Sequence, residues 1–541
     1  MKRRTLLKAG ALAGAAASFG SIPIFAQNPI GALGAAGIDN DAILIIIQMF
    51  GGNDGLNTII PADDPEYIKI RPNISVRADN PITNRRPKKI LNSDVYFHPA
   101  LVDGVHRNGF LGLIEEGRLA VIQGTGYENP NLSHFRSTDI WLSGLNDSSG
   151  ETRLNEGWIG RLFENNYPDF PIVMPDHPLC LQLGGSLSML LQSDKGDMGL
   201  AIGDVDQFVK EGNTGSDFPL MNGTTPYDNE YNYIRSIAKK GDIYNKVIEE
   251  AWAKGTNTPG IDYAISNGAK GSLVRQMGII SKLISGGLKT KVYLAQIGGF
   301  DTHVQQQDMN NNGQHPALLN QLANAISLFM DDAVKQGFAN RVVGLTVSEF
   351  GRRPYENGSN GTDHGTTSVQ FAFGTRVQAN VFGANPDFSD LDNNGDLAFD
   401  LNRNIDYRRL YSEIIQTWFG GSAEDSKSIL NERVVPLPYL QSPISSLNDP
   451  IMAYGNNGIR YSENFNVPNS GNIHVEVKKD CHIQIRLYNS LGTYSGDLFN
   501  GYIQAGKHVI PVDVSQFTSG MYICELSSGM FRHTTSLFVR R

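Results

Sequence analysis

The sequence predicts an α/β protein, a sheet with helices on both faces, followed by a small all-β sandwich. Three observations carry this prediction. Continuous apolar runs recur between about residues 38 and 440, each short enough for a strand buried on both faces. Helical patterns lie between those runs, and such alternation builds a sheet covered by helices on both sides. After about Pro450 the pattern changes to short runs of strict apolar/polar alternation, the period of half-buried strands.

Ala42-Ile43-Leu44-Ile45-Ile46-Ile47 is the first run and reads as a central strand. Leu119 to Ile122, Val292 to Ile297 and Val342 to Val347 repeat the type, and Val369 to Phe373 adds another. From Pro316 to Lys335, Leu318, Leu319, Leu322, Ala325, Ile326 and Phe329 share one helical face. A helix is expected after Ser133, running to about Ser143, and a further amphipathic one from Asp406-Tyr407-Arg408 through Trp418. The polar stretch from about 193 to 257 reads as an irregular insertion or cap. In the tail, His474 to Val477 and Ile483 to Tyr488 alternate, with turn signals at Asn489 to Gly492, Ala505 to Lys507 and Thr518 to Gly520. These predict an antiparallel sandwich of about 80 residues.

Composition bounds the function. With 46 Lys+Arg against 55 Asp+Glu the chain has a formal charge of −9, which argues against nucleic-acid binding. Forty per cent hydrophobic and 19% charged residues describe a globular protein. Cys180, Cys481 and Cys524 are too few for a disulfide scaffold or thiolate cluster; Cys481 and Cys524 are candidates to pair after export.

The first residues, Met1-Lys2-Arg3-Arg4-Thr5-Leu6-Leu7-Lys8, precede an Ala/Gly-rich stretch to about Ala26, the order of a secretory leader. The Arg3-Arg4 pair with Leu6-Leu7-Lys8 resembles a twin-arginine signal. That resemblance implies the twin-arginine translocase as a partner and export of an already folded chain. Removal of residues 1–26 takes away four basic groups and no acid, so the remaining chain is more acidic.

In open α/β sheets, ligand groups sit beyond the carboxyl ends of strands. The first strand runs into Gly51-Gly52-Asn53-Asp54-Gly55, and that at 292–297 into Gly298-Gly299-Phe300-Asp301-Thr302-His303. The strand at 342–347 leads to Ser348-Glu349-Phe350-Gly351-Arg352, while Thr362-Asp363-His364-Gly365 precedes the strand at 369–373. Asp54, Asp301, His303, Glu349, Asp363 and His364 are therefore expected on one rim, as ligands for a divalent metal: zinc, manganese or iron. Taken singly, Asp54 and Asp363 also suit turns.

Together with Ser133-His134-Phe135, Gly157-Trp158-Ile159-Gly160-Arg161 and Asp406-Tyr407-Arg408, these motifs resemble the exported family known as domain of unknown function 1501. That family is similar to the alkaline phosphatase and sulfatase superfamily, which implies an alkaline-phosphatase-like sheet, a nucleophile and clustered metals. The resemblance implies metal roles for Asp54, Asp301, His303 and His364, and a nucleophile at Ser133. Its Asp-His pair falls on Glu349-Phe350, so one His is absent; Asp363 or His315 is then a candidate substitute, or a single metal binds. It also implies an exported partner protein. The tail motifs Leu487 to Gly492, Gly506, Asp513, Ser519 to Tyr522 and Phe538-Val539-Arg540 resemble a type IX secretion sorting domain, which implies that machinery as a partner and delivery to the surface.

The expected organisation is a leader at 1–26, an alkaline-phosphatase-like domain at 38–442, a linker at 443–460 and the sorting domain at 461–541. Ser133 stands equally well as nucleophile or helix N-cap. Arg136, one turn on, is a candidate for holding a phosphate or sulfate oxygen. The expected activity is metal-dependent hydrolysis of phosphate or sulfate esters. The rivals are a non-catalytic surface binding or assembly protein and a carbohydrate esterase using Ser133 with a His.

Overall fold

A computed structural model describes residues 41–441, apart from 91, 152, 169, 171–173, 212–220, 222, 224, 267–272 and 393–394, and most of 459–539. The twin-arginine signal and nearly all of the expected linker fall outside the described residues. The chain divides into two compact units, one holding the described residues up to 441 and the other the tail.

The first unit is built on a nine-stranded sheet. Its strands are β1 (Ile43–Met49), β2 (Leu119–Gly126), β3 (Cys180–Leu183), β4 (Gly199–Ile202), β5 (Val292–Ile297), β6 (Val342–Val347), β7 (Ser368–Gly374), β8 (Val381–Phe382) and β9 (Ile405–Asp406). The order is β8-β2-β7-β6-β1-β5-β3-β4, with β9 also on β2. All neighbours run parallel except at β7, which is antiparallel to both β6 and β2. The cause lies in the connection. Parallel neighbours need a crossover, usually helical, whereas β6 returns to β7 through a non-helical excursion that includes the pair Gly351–Arg352 and His364–Gly365. The carboxyl ends of β1, β2, β5 and β6 and the amino end of β7 therefore share one edge.

Register explains the apolar runs. Ile43, Ile45, Ile47 and Met49 enter one hydrophobic cluster, and Leu44 and Ile46 enter another on the opposite face. Burial of each such side chain contributes about 1.5–3 kcal/mol, so β1 anchors both layers. Helices α1 (His134–Ser143) and α2 (Trp158–Asn166) pack on the Leu44 face. Helices α3 (Pro226–Lys254), α4 (Leu273–Ser285) and α5 (Gln314–Lys335) pack on the Ile45 face. The expected helices-on-both-faces architecture is present.

One expectation is corrected. The stretch from 193 to 257 is not irregular, because the 29-residue α3 occupies its second half. Thr225 and Asp228 form a reciprocal capping box with Pro226 in the first turn, a strong start signal. Tyr244, Ile248 and Ala251 supply the buried face, and the polar remainder hid that stripe. Asp406-Tyr407-Arg408 has a structural role: Arg408 pairs with Asp406 at 2.6 Å and the Tyr407 hydroxyl donates to the Ile140 carbonyl.

The tail forms one sheet from Ile459–Val467, Ser470–Val477 and Gly506–Asp513, and a second from Tyr494–Ile503, Cys481–Asn489, Gly520–Ser528 and Phe531–Val539. Ile473, Val475, Ile483, Ile485, Leu487 and Ile510 are buried in one cluster that draws on both sheets, which is the expected sandwich. Its register sets Cys524 opposite Leu487, six positions along the strand from Cys481. At about 3.3 Å per residue that offset far exceeds the reach of a disulfide, so this register does not bring the two positions together. Cys180 lies buried in β3, where burial pushes its thiol well above the usual range.

Candidate metal centre

The shared strand edge carries the site, and glycine makes its closest approach feasible. Gly51 has φ +116°, and a Cβ there would lie 2.1 Å from the Asp301 backbone nitrogen. Only glycine lets these two loops touch. The Gly51 N–H donates to Glu349 Oε1 at 2.8 Å.

His134, Asp301 and His364 bring ligand atoms within 4.8 Å of one another. His364 Nε2 is 3.3 Å from Asp301 Oδ1, and His303 Nε2 is 3.2 Å from the same oxygen and 3.0 Å from His364 Nε2. His134 Nε2 approaches the other oxygen, Asp301 Oδ2, at 3.6 Å. Three imidazoles thus face one carboxylate. Donor atoms about 2.0–2.2 Å from a tetrahedral zinc lie roughly 3.3–3.6 Å apart, and the three imidazole contacts to Asp301, at 3.2, 3.3 and 3.6 Å, are close to that spacing. Only one proton can stand between the facing nitrogens of His303 and His364. His134 Nε2 and Glu349 Oε2 are buried without a hydrogen-bond partner, which fits a group that neither protein partner replaces.

Each imidazole is oriented from behind. His134 Nδ1 bonds Glu349 Oε1 at 2.8 Å, His303 Nδ1 bonds Asp363 Oδ1 at 3.1 Å, and His364 Nδ1 donates to the Leu132 carbonyl at 2.9 Å. Metal-binding histidines are characteristically held this way, which fixes tautomer and direction. The Phe350 ring lies 4.8 Å from His134 and 4.6 Å from His364, centroid to centroid, as an apolar wall. Burial raises the Asp301 pKa, but the hydrogen bond and charge of Arg352, with His303 and His364, outweigh it and hold the carboxylate below its usual value. Burial also lowers the pKa of His364, with Arg352 and His134 adding to that against its bonds to Leu132 and Asp301. These effects disfavour the protonated ring of His364.

Several sequence expectations meet here and others do not. Asp301, His303 and His364 converge. Glu349 and Asp363 arrive as orienting partners of imidazoles. Asp54 does not join them: its Oδ2 pairs with Arg71 Nη1 at 2.7 Å, both side chains fully buried, and accepts from Gln306 Nε2. Burial raises its pKa, but Arg71, with His315 and Gln306, more than offsets this and the carboxyl is held low. His315, the candidate substitute, is buried beside Asn53, its Nε2 3.1 Å from Asn53 Oδ1, and burial lowers its pKa to about 4. Arg136 is engaged by Asp147, through a 2.8 Å bond to its carbonyl and a 3.0 Å ion pair. Ser133 stands exposed at the start of α1, and its side chain makes no capping hydrogen bond. The sequence signal for His134 is its place in the Ser133-His134-Phe135 motif after a strand, beside a hydroxyl that is itself a site candidate.

The pair His134–Glu349 makes a pH prediction. The Glu349 hydrogen bond raises the His134 pKa above 6.5 against an opposing effect of burial. The pair therefore stabilises the metal-free chain fully below pH 6.5, and the contribution is lost as pH rises through the raised value. A metal needs the neutral ring, so cation uptake should increase over that same interval. Thermal scans of chelator-treated and zinc-supplemented protein at stepped pH should show opposite slopes. Uptake that is flat across the interval would remove His134 from the ligand set.

Comparison with known proteins places these segments. Residues 263–430 match the family described as "Protein of unknown function (DUF1501)". Residues 465–540 match the "Secretion system C-terminal sorting domain". The chain is accordingly an exported protein, directed to the cell surface or extracellular space, whose tail engages the type IX secretion machinery. Among the described residues no helix is long and apolar enough to cross a membrane. No curated protein matches the sequence. Among solved structures, one is a Bacteroides thetaiotaomicron protein from work on the metabolism of multiple glycosaminoglycans, at 10% identity and TM-score 0.29, covering 85% of this chain and 89% of that one. The PsFucS1 sulfatase from Pseudoalteromonas sp. is 8% identical with TM-score 0.31, covering 87% and 84%. Ps i-CgsB, solved in complex with k-i-k-neocarrahexaose, is 10% identical with TM-score 0.29, covering 80% and 82%.

Proposed function

We propose that this exported chain is a metal-dependent hydrolase of phosphate or sulfate esters. The observation that carries the reading is the convergence of His134, Asp301, His303 and His364 at one strand edge, at spacings suited to a divalent cation. When bound, the cation supplies Lewis-acid polarisation of the ester. Glu349, Asp363 and the Leu132 carbonyl hold the three imidazoles in the donor tautomer, and Phe350 packs against His134 and His364. Ser133, exposed one residue before His134 with its hydroxyl uncommitted to capping, is the proposed nucleophile. Arg136 is held by Asp147 and its part is to brace the loop, not the ester. The domain bounds at 1–26, 38–442, 443–460 and 461–541, and passage of the leader through the twin-arginine translocase, belong to the same proposal. So does an exported partner protein.

A second reading, a surface binding or assembly protein that keeps the fold without the chemistry, draws on the neutralisation of Asp54 by Arg71 and on Phe350 standing where the resemblance calls for His. Elemental analysis of the full chain, followed by assay of phospho- and sulfo-esters with zinc, manganese or iron, separates the two. The hydrolase should hold near-stoichiometric metal and lose turnover on chelation. A stable chain that shows no divalent-ion binding in calorimetry overturns it, and a metal-loaded chain inert to every ester favours the second reading.

A further inference from the structure

The geometry points to Arg352 as the positioning residue that assembles the metal centre, an inference that rests on the metal-site reading above. Its side chain is fully buried. Arg352 Nε donates to the Gly52 carbonyl at 2.9 Å and Nη1 to the Thr362 carbonyl at 2.9 Å. Nη2 donates to the carbonyls of Gly51 and Phe300 and to Asp301 Oδ1, the last at 2.7 Å. Those acceptors lie on the loop after β1, the loop after β5 and the segment before β7, while Arg352 itself follows β6. One guanidinium therefore ties all four segments, and three of them carry metal-site groups.

The second feature is chemical. Asp301 Oδ1 is the oxygen that faces both His303 and His364, and Arg352 shares it. A planar fork of fixed donors orients a carboxylate in a way that a flexible ammonium does not. The carbonyls around the guanidinium supply no opposite charge, so Asp301 is its only ionic partner among the described residues. Removing Arg352 would free Asp301 to rotate and would leave four backbone carbonyls without their donor. Close approach by Gly365, where a Cβ would fall 2.4 Å from the Arg352 carbonyl carbon, fixes the arginine's own backbone from the other side.

The test is a double-mutant cycle on metal affinity in the full chain, read by competition of zinc against a chromophoric chelator. Arg352→Gln should weaken zinc binding by about 10- to 100-fold, the range for losing a partner that orients a ligand. Arg352→Lys should lose less, since it retains charge near Asp301. In the Asp301→Asn background, where the weaker binding that does not survive dialysis is read by direct zinc titration, the effect of Arg352→Gln should shrink to about threefold or less, because the ionic link is already gone. Equal fold-losses in both backgrounds would show a purely structural clasp and overturn the inference, as would unchanged affinity in Arg352→Gln. If circular dichroism shows that Arg352→Gln does not fold, Arg352→Lys carries the same cycle. Absence of zinc binding by the unsubstituted chain overturns the metal reading itself, and this inference with it.

Discussion

Asp301→Ala is expected to abolish both metal retention and ester hydrolysis. Asp301 is the one carboxylate that all three imidazoles face, and its two oxygens are divided between them. Its loss leaves the buried guanidinium of Arg352 without a counter-charge and three nitrogens with mutual repulsion in their protonated forms. Metal content after dialysis should fall from near one equivalent to background, and turnover of an aryl phosphate or sulfate should fall by at least about a thousandfold. Asp54→Asn should leave metal content unchanged, because Asp54 is already neutralised by Arg71. A variant lacking Asp301 that keeps its metal would refute the site as drawn.

Arg71→Ala is expected to give the largest loss of stability. The pair with Asp54 is fully buried, and Arg71 also donates to the carbonyls of Pro354 and Arg353 and to Asn57 Oδ1. Removing one partner of a buried ion pair costs about 3–5 kcal/mol, since it strands the other charge. The sign with pH follows. In the native chain the Asp54 pKa is depressed, so its contribution is present above 3.8 and is lost only as pH falls through the lower value. Without Arg71 the burial effect dominates, the carboxyl moves upward, and the variant should lose stability as pH rises. Calorimetric melting of the full chain should show a midpoint lower by several degrees and more pH-sensitive. Arg71→Met combined with Asp54→Asn should recover part of the loss, and an unchanged midpoint in Arg71→Ala would mean that the pair is not buried as described.

How much of this was legible in the sequence varies with the range of the interaction. Runs such as Ile43 to Ile47 read as strands because burial on both faces is a local demand that each residue must meet. Acids and imidazoles placed just after strands read as a rim, because the strand's carboxyl end is a position the chain itself marks. The long α3 was less legible, since its buried stripe is diluted among polar residues although its cap is local. The antiparallel β7 was not legible, because direction depends on how the chain returns between β6 and β7.

Roles within the site needed the third dimension. Asp54 and Asp301 look equivalent in sequence, each flanked by glycine-rich turns beside a strand. One meets Arg71 and is sealed into the core; the other meets Arg352 at the edge and stays half-exposed, 47% for the side chain, facing three imidazoles. Arg71 stands 17 residues from Asp54 and Arg352 stands 51 from Asp301. The strands, the rim and the sorting tail follow from patterns a few residues long. Which carboxylate faces the imidazoles and which is sealed into the core is set by long-range electrostatic partners, and those exist only once the loops have been brought together.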